Sequence, residues 1–232
     1  MKIRHFYHVF AAGGWAGPVA EHAEALGRAG LHCPVTITLV GPEEDRFRAR
    51  ERITERFWEW YLPEPEAWIE ADAGFEQVTL RQIHLWAHQT PGDYAVLYAH
   101  TKGAYSNSPF NEHWRRSMTR YTVAGWRDCV AKLESGWDTA GCHWLTPERD
   151  HDPPRFPVTT PMYGGNFWWG HSNYLRQLPP PGDEYRHQAE EWVGLAGPKA
   201  YDFLPGWPSM KLCAPDVYAA ELAAAEAEEQ HA

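Results

Sequence analysis

The chain has 232 residues, of which 44% are hydrophobic, and a formal net charge of −10. This length allows one large domain with a sizeable core, and the negative balance disfavours a broad electrostatic grip on duplex nucleic acid. No run approaches the ~18 uninterrupted apolar residues of a membrane helix. Met1 to His5 lead directly into a strand-like segment without signal-peptide anatomy, so a cytoplasmic protein is expected. Cys33, Cys129, Cys142 and Cys213 are widely spread and form no Cys-x-x-Cys pair. They fit buried reduced thiols better than a disulfide framework or thiolate zinc site.

In chain order, the aromatic and β-branched run Ile3 to Ala11 predicts a first strand, broken by Gly13-Gly14. Pro18 then opens a helix that presents Val19, Ala23 and Leu26 on one face and stops at Gly30-Leu31. Pro34 to Val40 predicts a second strand, which completes a β-α-β opening. The charged segment Glu43 to Tyr61 predicts a helix whose interleaved Arg and Glu residues form a solvated face. Thr79 is placed to cap a short helix that buries Leu80, Ile83 and Ala87. Asp93 to Ala99 is nearly continuous in apolar residues, as in a central strand covered on both faces.

The spacing of Trp114, Met118, Tyr121, Cys129 and Leu133 predicts a long helix capped by Asn111, with Gly125 inside it. Asp138 to Trp144 predicts a strand, Asp150 to Pro161 a proline-rich loop and Phe167 to Gly170 another strand. Ser172 to Leu178 and His187 to Leu195 predict short helices. The expected organisation is one α/β domain over residues 1–216, with a mixed, mostly parallel sheet flanked by helices. An Ala/Glu-rich terminal helix or tail follows over 217–232.

Ligands of open α/β sheets bind beyond the carboxyl ends of the strands. The Gly13-Gly14-Trp15 turn and His100-Thr101-Lys102-Gly103 fall there. Lys102 offers a point charge to a diphosphate, Thr101 a hydroxyl and Gly103 close backbone approach. In Gly164 to Trp169, Asn166 supplies a donor and an acceptor, and the adjacent Trp168 and Trp169 point to opposite faces of a strand. One of the two is free to face a cleft. In Glu190-Glu191-Trp192, a helical carboxylate beside an aromatic suits a general base with a raised pKa. Asp150-His151-Asp152 has the Asp-x-Asp form of a divalent-cation site, although Asp150 and Asp152 lie in a proline-rich loop. His84 and His88 stand four apart on a helix but lack a third ligand. No Gly-x-Gly-x-x-Gly, Walker or Gly-x-Ser-x-Gly motif is present.

The ordered set Val96 to Gly103, Trp114-Arg115-Arg116, Trp126 to Cys129, Gly165 to Trp169, Tyr174 to Pro179 and Glu190 to Gly194 resembles a family of poorly characterised bacterial and phage glycosyltransferase-like proteins. The opening Phe6 to Val9 is similar too. The resemblance implies a GT-A-like nucleotide-sugar fold whose first β-α-β unit frames the nucleotide, with His8, Trp15 and His100 to Gly103 on the donor side. Where that fold usually carries a metal-binding Asp-x-Asp, this sequence has His100-Thr-Lys-Gly. A metal-independent mechanism is therefore implied, in which Lys102, with His100, does the work of Mg²⁺ or Mn²⁺.

On this reading Glu190 is the base of an inverting transfer, and Asn166, Trp168 and Trp169 line the sugar cleft. The expected partners are a nucleoside diphosphate sugar and a hydroxyl acceptor on a glycan, a protein or a modified base. The alternatives are a non-catalytic carbohydrate- or nucleotide-binding protein on a degenerate transferase fold and a His-dependent metal hydrolase.

Overall fold

The computed structural model describes residues 1–104, 108–150, 158–185 and 187–204. The segment 217–232 and Asp152 lie outside the described residues. Nine strands occur among them: β1 (Lys2–Phe10), β2 (Val35–Val40), β3 (Ala67–Ala71), β4 (Tyr94–His100), β5 (Thr139–Gly141), β6 (Trp144–Leu145), β7 (Met162–Tyr163), β8 (Trp168–His171) and β9 (Ala200–Asp202). The helices are α1 (Ala16–Ala29), α2 (Glu43–Glu59), α3 (Gln77–Gln89), α4 (Pro109–Thr119), α5 (Trp126–Glu134), α6 (Pro147–Asp150), α7 (Ser172–Leu175) and α8 (Gln188–Glu191).

Seven strands form one sheet in the order β3-β2-β1-β4-β8-β5-β9, and β6 pairs with β7 separately. The β3-β2-β1-β4 portion is parallel, whereas β8 runs antiparallel to both β4 and β5. The mixed, mostly parallel sheet of a single α/β domain is thus present. The chain winds outward from β1 to β3 and then returns to place β4 on the other side of β1. That reversal makes the carboxyl ends of β1 and β4 a topological switch point, the position at which open α/β sheets bind ligands.

The alternation of each strand explains the two cores. Tyr7 and Val9 of β1 pack with Val19, Ala23 and Leu26 of α1, Ile53 of α2, and Met118 and Cys129. Phe6 points the other way, toward Leu80 and Ile83 of α3, Leu175 and Trp192. No helix among the described residues is long and apolar enough to cross a membrane. Cys33, Cys129 and Cys142 are buried. Burial raises the Cys33 thiol to about 12, in keeping with inert thiols.

Several expected details change. Helix α3 begins before Thr79, which sits inside it, and Glu76 occupies the N-cap position. Ser108, rather than Asn111, caps α4 by accepting the Asn111 N–H at 3.2 Å. The long helix is interrupted by a π-helical turn at Arg120–Ala124. Gly125 then separates that turn from α5, because a Cβ there would meet the Tyr121 carbonyl oxygen at 2.8 Å. The predicted strand Asp138 to Trp144 divides into β5 and β6. On α2, exposed pairs such as Arg52–Glu55 form the solvated face, but Arg46 turns inward to bond Asp72 at 2.6 Å.

Candidate functional site

The apolar run of β4 ends at His100, whose register partner on β1 is His8. Thr101 joins the two strand ends: its N–H donates to the His8 carbonyl at 3.0 Å, and its Oγ1 accepts the Phe10 N–H at 3.0 Å. The chain then turns through Gly103, with φ of 84°. Gly14 N–H donates to the Ala104 carbonyl at 2.9 Å, so the loops after β1 and β4 meet at the switch point. Thr101 is buried and acts as a latch between strands rather than an open ligand group.

Lys102 is half-buried, and its ammonium sits 4.3 Å from the Trp114 ring centroid. A cation over a ring face is attracted by the ring quadrupole. Buried Arg115 fixes the backbone below it by donating to the Lys102 carbonyl at 3.0 Å. The same guanidinium makes a two-point pair with Glu21, at 3.3 and 3.0 Å. The side of the site facing α1 thus has one movable ammonium on an anchored loop. The N-cap of α1, Trp15, makes no side-chain cap bond, and no acidic residue stands in the helix's first turn.

On the opposite face stands a residue that sequence reasoning missed. Glu76 Oε2 accepts the Tyr98 hydroxyl at 3.0 Å and Asn166 Nδ2 at 2.6 Å, while its Oε1 lies 3.5 Å from His100 Nδ1. His100 Nε2 is 2.8 Å from the Gly165 carbonyl. A carbonyl can only accept, so Nε2 carries the proton. Burial lowers the His100 pKa; Glu76 works against that shift and Lys102 with it. His100 is therefore a tethered, neutral ring at pH 7, and the expectation that it helps neutralise a diphosphate is corrected. Lys102 alone carries positive charge in this loop.

His8 is also displaced from the donor side. Its Nδ1 is 2.8 Å from Thr79 Oγ1, and burial, followed by His100, lowers its pKa to about 3. It points toward α3, whereas Trp15 remains half-buried against the α1 core.

The tryptophan pair alternates across β8 as expected, but both faces are covered. Trp168 and Trp169 are each 0% exposed, so neither presents a ring to a cleft in this structure. Trp169 Nε1 donates to the Thr122 carbonyl at 2.7 Å, and Trp168 Nε1 donates to Asn166 Oδ1 at 2.8 Å. The glycines serve packing in the same way: a Cβ on Gly165 would meet Met118 Sδ at 2.5 Å. Asn166, at φ of 59°, is fully buried, and its Nδ2 also donates to the Ala189 carbonyl at 3.2 Å. Asn166 is thus a positioning residue that ties β8, Glu76 and α8 together rather than a group lining the site.

Glu190 and Glu191 of α8 separate by role. Glu191 accepts from Thr159 Oγ1 at 2.6 Å and from the Tyr185 hydroxyl. Glu190 faces the site, 12% exposed, with His187 Nδ1 at 3.8 Å. Burial works to raise its pKa, but the His187 bond and the Lys102 charge outweigh it, and the net direction is downward. The raised pKa expected of Glu190 is corrected accordingly: it is a firmly ionised carboxylate.

Asp150 is buried and caps its own short helix by accepting the Thr146 N–H at 2.8 Å. That bond and Arg149 occupy the carboxylate that the Asp-x-Asp reading had assigned to a metal. Among the described residues no group of three or more His, Cys, Asp and Glu is arranged to hold a metal. Hollows of about 240 Å³ beside Arg120 and Phe203 and about 610 Å³ beside His32 and Tyr61 include none of the clustered residues.

Fold and site together define an α/β domain with one ammonium and two carboxylates gathered around the switch point of a mostly parallel sheet. The chain belongs to the family described as Domain of unknown function (DUF8361), whose model matches residues 6–211. A search among curated proteins found no match.

Proposed function

We propose that the protein transfers a sugar from a nucleoside diphosphate sugar to a hydroxyl acceptor, on a GT-A-like fold. The observation that carries this reading is the placement of Lys102, whose carbonyl is anchored by Arg115 at the end of β4, at the same site as the half-buried carboxylate of Glu190. The two side chains come from the β4 loop and α8, yet Lys102 lies close enough to help hold Glu190 ionised. A cation for a departing diphosphate and an ionised carboxylate for an incoming hydroxyl are the two charges such a transfer needs. The acceptor oxygen forms its bond to the anomeric carbon as its proton passes to Glu190. The bond from that carbon to the diphosphate oxygen breaks, and Lys102 with the uncapped start of α1 receives the leaving negative charge. A base on the face opposite the leaving group inverts the anomeric centre.

The test is a thermal-shift screen of nucleotide sugars, with and without Mn²⁺, followed by assay of released nucleoside diphosphate. A donor that binds only the folded chain raises its melting temperature. Lys102→Ala is expected to lower transfer about a hundredfold, the scale of losing one charge-stabilising group. Glu190→Gln is expected to abolish transfer while donor binding persists. Full transfer activity in both variants would defeat this assignment of roles. The lowered basicity of Glu190 favours a second reading, a non-catalytic binder, under which nucleotide sugars stabilise the chain but no free diphosphate ever appears.

A further inference from the structure

The seven-stranded sheet ends on one side in β3, which among the described residues pairs with β2 alone. No proline or lysine stands in Ala67-Trp68-Ile69-Glu70-Ala71, so the strand lacks two common guards of an open edge. Helix α2 crosses from β2 to β3 above this end of the sheet. Its α1 flank is marked by Trp60, which packs so closely on Gly27 that a Cβ there would meet its side chain at 2.9 Å. Its β3 flank is marked by Arg50, whose guanidinium carbon lies 5.0 Å from the Trp68 ring centroid and whose Nη1 donates to Glu70 Oε1 at 3.4 Å.

Phe47 and Trp58 are eleven positions apart on α2, close to three whole turns, and so share one face. Helical spacing fixes the order around the axis: Trp60 toward α1, Ile53 and Phe57 toward the core, Arg50 toward β3, then Phe47 and Trp58 beyond it. The two rings are 61% and 82% exposed. Tyr61, in the left-handed turn after α2, is 87% exposed and borders the hollow that reaches Glu66, next to the first residue of β3. An aromatic stripe thus overhangs the open edge of the sheet.

We propose that this edge is the interface for a second copy of the chain, with β3 pairing antiparallel to its counterpart about a two-fold axis at Ile69. Such pairing is self-complementary, because each contact recurs across the axis. It sets Ala67 opposite the partner's Ala71 and Trp68 opposite the partner's Glu70, with facing Cβ atoms about 5 Å apart. Arg50, already over Trp68, then meets the partner's Glu70, and this charge pair forms twice. With strands about 4.8 Å apart, the two α2 helices run antiparallel over the joint at roughly 10–14 Å, a gap for large rings to fill. The exposed parts of the six rings amount to roughly 700–1,100 Å², which with the paired strands reaches the size of a specific dimer interface. The candidate site on β1 and β4 takes no part, so the inference stands apart from the transferase reading.

The experiment is sedimentation equilibrium of the full chain from about 1 to about 100 μM, where a monomer–dimer equilibrium is expected. Phe47→Glu and Trp58→Glu are each expected to raise the dissociation constant about tenfold or more, the scale of losing an aromatic anchor. Leu85→Glu, at an exposed position on α3, leaves it unchanged. Arg50→Glu and Glu70→Arg each set like charges against one another across the axis and weaken self-association. In a mixture of these two variants every substituted position faces its opposite charge, so the mixture is expected to associate more tightly than either alone. Circular dichroism melting checks that each variant is folded. The inference is overturned if the chain stays monomeric at the highest concentration, or if assembly grows past the dimer. It is equally overturned if the folded Phe47 and Trp58 variants associate as the parent does, or if the charge-swapped mixture is no tighter than its components.

Discussion

Asn166 Nδ2 donates to Glu76 Oε2 at 2.6 Å, joining residues ninety positions apart at the site. The same amide nitrogen reaches the Ala189 carbonyl, and Oδ1 receives Trp168 Nε1. Both amide hydrogens and one lone pair of Oδ1 thus hold other groups in place. Asn166→Asp preserves shape but sets a second carboxylate against Glu76. We expect it to lose about 3 kcal/mol at neutral pH, the scale for a buried unpaired charge. Part of that loss is recovered on acidification, as one carboxyl takes up a proton. Urea unfolding at pH 7 and pH 5 measures both effects; equal stability of variant and parent at pH 7 would contradict the arrangement.

Gly194 and Gly165 allow close approach of backbone to neighbouring groups. A Cβ on Gly194 would overlap the Pro161 carbonyl oxygen, which is backbone and cannot swing away. Gly194→Ala and Gly165→Ala are each expected to cost about 2 kcal/mol or more, from overpacking and, at Gly165, from its positive φ. Differential scanning fluorimetry reads these as lowered melting temperatures, with Gly136→Ala, where nothing lies near the added carbon, showing only the effect of its own φ.

Trp169 separates a core role from a ligand role. Trp169→Ala is expected to cost about 3–5 kcal/mol through the cavity it leaves. Trp169→Phe costs about 1–2 kcal/mol through the smaller ring and the lost bond to the Thr122 carbonyl. A Trp169→Phe variant with unchanged stability and impaired ligand binding would show that the ring faces a ligand after all.

Buried histidines make the fold acid-sensitive. His5 Nδ1 donates to the Leu97 carbonyl at 3.2 Å, which leaves Nε2 to accept from His22 Nε2 at 2.8 Å. Burial, offset in part by the Leu97 bond, lowers His5 to about 4; burial and His5 lower His22 as well. The unfolded chain takes up these protons near pH 6.5, whereas the folded chain resists until about pH 4. Stability is therefore full above pH 6.5 and falls as pH drops through that window, by about 1.4 kcal/mol per pH unit for each proton taken up. Chemical denaturation between pH 7.5 and 4.5 checks the slope. His22→Gln, which keeps a donor for His5, is expected to flatten it.

Much of the architecture was legible in the chain itself, because strand alternation and helical spacing are local properties. β1, α1, β2 and β4 follow the apolar pattern, and the positions after β1 and β4 mark the switch point from order alone. The edge strands β3 and β9 escaped because they are short and half-buried, so their residues carry no strong alternation. The opposite directions of Trp168 and Trp169 follow from the pleat. Whether either reached a cleft depended on α3, α4 and α8 covering both faces.

Lys102 and Glu190 were visible as charged residues in suggestive places, but Glu76 was one glutamate among many. Its partners Tyr98, His100 and Asn166 come from a distant strand and a glycine turn. Residue pattern along the chain thus determined which elements form and which strand ends mark the switch point. Only the tertiary structure decided which polar groups meet there, because hydrogen bonds and burial are set by neighbours in space, and these change both where a side chain points and which proton it holds.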